Sequence, residues 1–577
     1  MSRPDMSRPD MSRPLRVVLV GYGPVGARFV EELLPSVRGG TVEVTVVGAE
    51  DADAYNRVLI AEYAVGHTDR AALTVTDTPA AIDAGVRMLR GARVTAIDTE
   101  AHNVTVVVTG ATAGLPGTER VEYDRLVLAT GSRANIPTLD GIERTARDRP
   151  SLLRAGADAI AHDPSLPAGV TVLRDLADAE RVRAIVEAGQ RLIVLGAGVL
   201  GLELALAAAG QGAQVSVVHH GGYPMPRNLD RGGGTVLSDS LREAGIEVIA
   251  HSRAESVLLG SPEAIGDDSA SNNSGAQRFE ALCCADGKII AGDLLVLSCG
   301  VSPRTELATL AGLPTAGGIL VDTELRSWGD DDVFAIGDCA HVAARPDDGA
   351  AEGVHGAPSG LIGPGWRQAE WLAGRLAGEA VGGTPLPALA AERPAIVMLK
   401  AEGIDVVSAG VVDPEPWDRE PQNSELAASG DAAHPAARRQ VSQWADPEHG
   451  RYVKMVTRGG VLEGMVSVGM PRTGAELMLL FERGSELPAD RSILLRHDGP
   501  DEVSTTVTGE LSADETVCWC NAVTVGHIHD AIDDGNTTVA CVGSATRAGT
   551  GCGGCKGRIA ELIDRFSASG DPVAIGV

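Results

Sequence analysis

Four cysteines close to the end of the chain stand in two tight pairs. One residue separates the first two cysteines, and two glycines separate the last two. Four thiolates that converge can bind zinc or an iron–sulfur cluster. Glycines around the second pair free backbone N–H groups to approach sulfide, and Arg547 and Lys556 carry charge opposite to that of a cluster. This favours a cluster over zinc, with the ligands Cys518, Cys520, Cys552 and Cys555.

Two glycine motifs each follow a short apolar run, LRVVLV at 15–20 and RLIVL at 191–195, and each precedes helix-forming residues. A strand, a glycine turn and a helix present bare backbone N–H groups to a pyrophosphate at the helix N-terminus. The sequence therefore predicts two dinucleotide sites. Their glycines are Gly21, Gly23 and Gly26 in the first site and Gly196, Gly198 and Gly201, followed by Glu203, in the second.

The residues that end the second strand of each unit differ between the two sites. In the first unit the strand predicted over 43–48 ends near Glu50, where a carboxylate would accept a hydrogen bond from a ribose hydroxyl. In the second unit the strand over 214–218 runs into His219 and His220, with Arg227 shortly after. Without a carboxylate there a 2′-phosphate is tolerated, which favours NADPH over NADH. The alternative is that both histidines are exposed loop residues.

Two further segments, LVLATG at 126–131 and VFAIGDCA at 333–340, complete a resemblance to the two-dinucleotide-binding flavoprotein superfamily. The resemblance implies an α/β fold with two Rossmann-like, glutathione-reductase-like domains. It implies FAD contacts at Gly21, Gly23, Gly26, Glu50, Arg57, Thr130, Gly131, Gly337 and Asp338. It implies that the nicotinamide nucleotide is held at Gly196, Gly198, Gly201, Glu203, His219, His220 and Arg227.

The cysteine-bearing end resembles the bacterioferritin-associated ferredoxin-like (BFD-like) [2Fe–2S] domain through C-x-C, a long spacer and TRAGTGCGGC. The resemblance implies a small helical domain that binds a [2Fe–2S] cluster. Structural zinc and a redox dithiol stay open as alternatives. We expect core or loop thiols at Cys283, Cys284, Cys299, Cys339 and Cys541. No C-x₄-C stands near the flavin motifs, so we do not expect disulfide reductase activity.

The motifs and their spacing divide the chain into four expected domains and a tail. We expect a disordered tail over 1–14, an FAD-binding domain over 15–150 and 303–385, and an NAD(P)-binding domain over 151–302. An α+β domain is expected over 386–495 and the [2Fe–2S] domain over 512–568. Polar stretches rich in glycine, serine and proline predict surface loops at 260–277, 343–359 and 414–438.

The composition of the chain argues against nucleic acid as a binding partner. The 577 residues carry a net charge of −29 and only 3% aromatic side chains, with no basic block, which argues against nucleic acid. We find neither a signal peptide nor a membrane anchor. The chain has nine cysteines, and an odd number does not suit a framework of disulfides. These features favour a reducing compartment, the cytoplasm. The segment 386–495 is a candidate interface for a homo-oligomer.

The order of the modules resembles the N-terminal half of the NAD(P)H-dependent assimilatory nitrite reductase large subunit, with AYNRV at 54–58 and LKAEGIDVVSAG at 399–410. The resemblance implies conversion of hydride into single electrons, with no catalytic acid–base pair. The sirohaem half is not in this sequence, so the chain resembles the electron-transfer subunits of assimilatory nitrate reductases. The implied partner is a molybdenum-containing nitrate reductase catalytic subunit, or nitrite reductase. IAE at 60–62 departs from the relatives' pattern beside the flavin.

Three competing functions remain at this point. A reductase for a ferredoxin or an oxygenase would share the flavin half. A cluster-linked amine or opine dehydrogenase would need no nicotinamide site, and the second glycine motif speaks against it. A flavin reductase could carry the cysteine end as a zinc-stabilised docking module.

Overall fold

A computed structural model gives the fold of most of the chain. It describes residues 13–108, 117–142, 166–260, 277–346, 353–384, 386–390, 395–401, 403–418, 438–495, 498, 513, 515–518, 521–551 and 553–569. The expected tail lies almost entirely outside the described residues, as do most of the expected loops at 260–277 and 414–438 and residues 347–352 of the loop at 343–359.

The first parallel sheet is built around the first glycine motif. Its five parallel strands, in spatial order, are Val333–Ala335, Arg125–Leu128, Leu15–Val20, Val42–Val47 and Arg87–Leu89. The central strands are rich in valine and leucine and are buried among apolar side chains, as parallel strands covered on both faces are. The two long helices of this unit, Pro24–Arg38 and Ile362–Ala380, pack against each other.

Smaller elements complete the first unit. An antiparallel sheet contains Ala92–Asp98, Asn103–Val108 and Gly117–Glu122. Two strand pairs are Ser132–Ala134 with Val301–Pro303 and Ile319–Val321 with Ala340–Val342. The short helices are Ile60–Ala64, Thr78–Asp83 and Glu306–Leu310.

The second parallel sheet repeats this architecture around the second glycine motif. Its strand order is Glu247–Ile249, Gln214–Val218, Arg191–Leu195, Leu294–Leu297 and Val170–Thr171. Its helices are Leu176–Glu187, Val199–Gly210 and Arg231–Glu243, and the adjoining antiparallel strands are Ala254–Gly260, Arg278–Cys284 and Ile289–Ala291. The predicted α/β fold with two Rossmann-like units is confirmed.

An antiparallel sheet follows, with strands in the order Ile396–Ala401, Ile404–Gly410, Val461–Val468, Arg451–Arg458 and Arg439–Asp446. The helices Pro471–Arg483 and Ser492–Leu495 follow it. The sheet packs on two helices of the second unit. The approach is close, since a Cβ atom placed on Gly232 would lie 2.6 Å from the Tyr452 ring.

The cysteine-bearing end is a small helical module, called here the cysteine module (residues 515–569). It contains the strands Thr516–Cys518 and Val523–Thr524 and the helices Val525–Asp533, Val539–Thr546 and Lys556–Ser569. The Thr524 hydroxyl caps the first helix by accepting from the His527 N–H, and Thr538 caps the second in the same way. Among the helices that the structure describes, none is long and apolar enough to cross a membrane.

Candidate dinucleotide cavity and cysteine centre

A cavity of about 1040 Å³ opens at the carboxyl ends of the strands of the first parallel sheet. Ligands of doubly wound sheets bind at this edge. Every predicted FAD contact lines the cavity, and Glu203 of the second unit reaches it as well. The other predicted nicotinamide residues are not among the residues that line it, namely Gly196, Gly198, Gly201, His219, His220 and Arg227.

The first glycine turn leaves room only for bare backbone. Gly21 has φ +109°, and a Cβ atom there would lie 2.2 Å from the Ala129 carbonyl oxygen. A Cβ atom on Gly26 would lie 2.4 Å from the Gly21 carbonyl oxygen. Gly23 directly precedes the helix Pro24–Arg38. Unobstructed N–H groups at this N-terminus fit a dinucleotide pyrophosphate.

Glu50 follows the strand Val42–Val47 and is held at the cavity edge by two neighbours. Its carboxylate accepts a hydrogen bond of 2.8 Å from the Tyr55 hydroxyl and forms an ion pair with Arg57. Burial, together with the charge of Glu50, raises the pKa of Tyr55 despite the opposing Arg57, so this hydroxyl remains a donor. The carboxylate is therefore fixed where a ribose hydroxyl could reach it.

Asp338 also lines the cavity, in the turn Gly337–Cys339. Its Oδ2 accepts from the Ser132 hydroxyl at 2.7 Å and from the Arg174 guanidinium at 3.1 Å. The Gly337 N–H donates to Gln368 Oε1 at 2.8 Å, which fixes the turn. Sequence reasoning missed Arg174, because it belongs to no motif and meets Asp338 only through the fold.

The second glycine turn has the same stereochemistry as the first. Gly196 has φ +115°, and a Cβ atom there would lie 2.2 Å from the Ser298 carbonyl oxygen. Gly198 precedes the helix Val199–Gly210, and a Cβ atom on Gly201 would lie 2.6 Å from the Gly196 carbonyl oxygen. The first turns of this helix also line the large cavity through Val199, Leu200 and Glu203. One helix thus links the second glycine turn to the cavity.

The two histidines after the strand Gln214–Val218 differ sharply in environment. His219 is 6% exposed, and its Nε2 finds no hydrogen-bond partner among the described residues. Burial, and then the neighbouring His220 and His251, lower the pKa of His219 to about 4, so the ring is neutral at pH 7. His220 and Arg227 are exposed. Positive charge at this edge therefore comes from Arg227, not from His219.

The structure brings together one cysteine from each predicted pair. Cys518 and Cys555 are both buried, and a hydrogen bond links their thiols. That bond, opposed by burial and supported by the backbone N–H groups of Gly549 and Asn521, lowers the pKa of Cys518 to about 6. A thiol that ionises this readily suits a metal or cluster ligand. Within the described residues no three metal-binding side chains converge, and Cys520 and Cys552 lie outside them.

The other described cysteines form no disulfide. Cys339 is buried and donates to the carbonyl oxygens of Leu128 and Ile336 at 3.2 and 3.3 Å. Burial raises the pKa of Cys299 to about 11, and Cys541 is exposed. Cys339 is a core thiol and Cys299 a loop thiol, as the sequence predicts, whereas Cys541 lies on the exposed side of the helix Val539–Thr546.

Two other parts of the fold complete the cavity wall. Thr516 and Ala522 of the cysteine module line it on one side. Residues 396–398 of the antiparallel sheet line it as well. All four structural units therefore border one cavity.

The family model described as pyridine nucleotide-disulphide oxidoreductase matches residues 15–358, more than half of the chain. The chain belongs to the pyridine nucleotide-disulphide oxidoreductase family. A second model, the BFD-like [2Fe-2S] binding domain, matches residues 516–565. The cofactors of this oxidoreductase are accordingly FAD, NADPH or NADH, and a [2Fe–2S] cluster. The glycine cradles and the paired buried thiols fit them.

Two curated relatives come from Bacillus subtilis (strain 168). The "Nitrite reductase [NAD(P)H]" is 28% identical over 97% of this oxidoreductase and 59% of the relative. The "Assimilatory nitrate reductase electron transfer subunit" is 27% identical over 95% of this oxidoreductase and again 59% of the relative. The chain thus spans less than two thirds of the length of either relative.

Solved structures agree on the fold. The covalent putidaredoxin reductase–putidaredoxin complex matches with a TM-score of 0.60 and 20% identity, over 84% of this oxidoreductase and 96% of that chain. At this identity the match shows the fold alone.

Proposed function

We propose that this oxidoreductase takes hydride from NADPH or NADH and delivers electrons singly to a separate catalytic subunit in nitrate assimilation. The acceptor is a molybdenum-containing nitrate reductase catalytic subunit, or a nitrite reductase, in the cytoplasm. The observation that carries the proposal is the shared cavity, which has the FAD cradle, the second nucleotide unit and the cysteine module on its walls. Bound together, these cofactors convert one two-electron donation into two one-electron donations.

The residues divide this work by position. We assign the pyrophosphate of FAD to the turn of Gly21, Gly23 and Gly26. Glu50 and Asp338 are the acceptors for ribose and ribityl hydroxyls, and their hydrogen bonds to Tyr55 and Ser132 hold them in place. The residues expected to bind the cluster are Cys518, Cys520, Cys552 and Cys555.

The nicotinamide nucleotide is assigned to the turn of Gly196, Gly198 and Gly201, with Glu203 beside the reacting ring. We favour NADPH over NADH, because no carboxylate ends the strand Gln214–Val218 and the exposed Arg227 lies nearby. His219 is neutral and adds no charge, and its Nε2, which has no partner among the residues that the structure describes, is left to hydrogen bond.

The choice of acceptor draws on similarity over nearly the whole chain to the Bacillus subtilis electron transfer subunit. The net charge of the chain, −29, suits docking on a basic surface of the partner. Such docking weakens as salt rises.

Anaerobic titration of the purified protein with NADPH tests the proposal. We expect flavin and iron–sulfur absorbance together, and both should bleach. Reduced protein should then reduce a nitrate reductase catalytic subunit faster than it reduces a ferredoxin. Faster ferredoxin reduction would favour the ferredoxin or oxygenase reductase. Zinc in place of iron and acid-labile sulfide would make the cysteine module a docking module.

A further inference from the structure

Two neighbouring residues after the second strand of the first sheet face two different sites. Arg57 lines the dinucleotide cavity and pairs with Glu50. Asn56, directly before it, is 1% exposed and faces the cysteine module. Its Oδ1 accepts from the Val58 N–H at 3.0 Å, which caps the turn of residues 57–59.

The amide nitrogen of Asn56 is thereby left to donate. Its acceptors lie almost a whole chain length away in the sequence. Nδ2 donates to the carbonyl oxygens of Thr550 at 3.0 Å and Gly551 at 2.6 Å. Both acceptors lie just ahead of Cys552, in the loop that runs to Cys555. A buried amide with all its hydrogen bonds made specifies one arrangement of its neighbours.

A second buried side chain contacts Asn521, which lies beside Cys518. Arg28, in the helix that follows the first glycine turn, donates to Asn521 Oδ1 at 3.2 Å and to Glu370 at 2.9 Å. The Asn521 amide in turn lies 3.7 Å from Cys518 Sγ and donates to the Arg547 carbonyl oxygen at 2.7 Å. Asn521, beside Cys518, and the residues Thr550 and Gly551 are thus each tied to the first unit by a buried polar side chain.

These ties hold the module where it forms part of the cavity wall, through Thr516 and Ala522. Electron transfer slows steeply with the distance between donor and acceptor. A carrier domain that swings between partners needs an interface that separates easily. Asn56 and Arg28 are buried and hydrogen bond across this interface, so they do not provide one.

We propose that the cysteine module stays docked on the dinucleotide domain while it is reduced, and that Asn56 is the positioning residue for this transfer. The inference rests on the proposed function. Oxidation of one NADPH to NADP⁺ yields two electrons and one proton. A bound cluster would accept these electrons one at a time, with one ferric ion becoming ferrous, and would pass the first to the catalytic subunit before it takes the second, while the proton would go to solvent.

The test compares Asn56→Ala and Asn56→Asp with the control Asn536→Ala. Asn536 donates to the Ala531 carbonyl oxygen at 2.8 Å inside the cysteine module, away from the docking contact. Asn56→Asp keeps the acceptor for the Val58 N–H but removes both donors to the loop. Asn56→Asp therefore tests the docking role while the cap stays in place. It also replaces Asn56→Ala in the test if that variant does not fold.

The first readout is hydrogen exchange, which needs no turnover. Peptides covering residues 547–556 should exchange roughly tenfold faster in both Asn56 variants and at the wild-type rate in Asn536→Ala. The second readout is anaerobic stopped-flow reduction by NADPH. Flavin bleaching should keep its rate, and cluster bleaching should slow by roughly tenfold or more.

The two failures are distinguishable. Unchanged exchange, or cluster reduction at wild-type speed in both Asn56 variants, would overturn the positioning role and leave the proposed function standing. A wild-type cluster that NADPH cannot reduce would overturn the proposed function and the inference together.

Discussion

Lys454 Nζ lies 3.0 Å from Asp230 Oδ2, and both side chains are buried where the antiparallel sheet meets the second nucleotide unit. The Tyr452 hydroxyl donates to the same oxygen at 2.6 Å. Asp230 also caps the helix Arg231–Glu243 by accepting from the Gly233 N–H. The antiparallel sheet therefore neutralises one buried carboxylate of the second nucleotide unit. In this way the sheet helps to hold that unit in place.

Replacing Lys454 with alanine should destabilise the protein strongly, because it leaves the Asp230 carboxylate buried without its cation. We expect the free energy of unfolding to fall by about 3–5 kcal/mol. Denaturant unfolding followed by tryptophan fluorescence measures it. Lys288, half exposed and paired with Asp286, is the matched control, and Lys288→Ala should cost about 1 kcal/mol or less. Equal losses in the two variants would contradict the prediction.

The cysteine centre makes a prediction about metal content. Cys518→Ser should lose the cluster, because serine is a far poorer ligand for iron than thiolate. Iron and acid-labile sulfide should fall to near zero, while bound FAD is retained. Cys541→Ser is the control, since Cys541 is exposed in the helix Val539–Thr546. A full cluster in Cys518→Ser, or an equal loss in Cys541→Ser, would rule out the assigned ligand set.

The preference for NADPH depends on the exposed charge after the second nucleotide strand. Arg227→Ala should raise the KM for NADPH by roughly tenfold, because a charge-assisted hydrogen bond to the 2′-phosphate is lost. The KM for NADH should stay the same. Arg242, which pairs with Asp239 in an outer helix, provides the control variant Arg242→Ala. A parallel rise for both nucleotides would assign Arg227 a role unrelated to the phosphate.

Local spacing was enough to predict the strand–turn–helix units. Gly21 and Gly196 were identified because a tight turn needs glycine at one fixed offset from the strand. Residues that act through packing were missed. Arg174 meets Asp338 across 164 positions, and Asn56 meets Gly551 across 495. No short pattern encodes such pairs, because the packing of whole units creates them.

Neutral, buried His219 predicts a loss of stability in acid. The folded protein binds this proton only near pH 4, whereas the unfolded chain binds it near pH 6.5. Above pH 6.5 both states are neutral and His219 has no effect. As the pH falls from 6.5 to 4, protonation favours the unfolded chain, by up to about 3 kcal/mol.

His219→Leu should remove this part of the acid sensitivity, because leucine does not titrate and the Nε2 position has no partner to lose. Unfolding free energies at pH 7.5, 6.5, 5.5 and 4.5 should show the stability of the wild type falling faster than that of the variant, by about 2 kcal/mol at the lowest pH.

His449, an exposed histidine whose pKa is raised by Asp446, is the control. Its stabilising effect is present at low pH and lost as the pH rises, so His449→Leu should shift the profile in the opposite direction. Parallel profiles for the wild type and His219→Leu would mean that His219 has the same pKa in the folded and the unfolded protein, which would contradict the prediction.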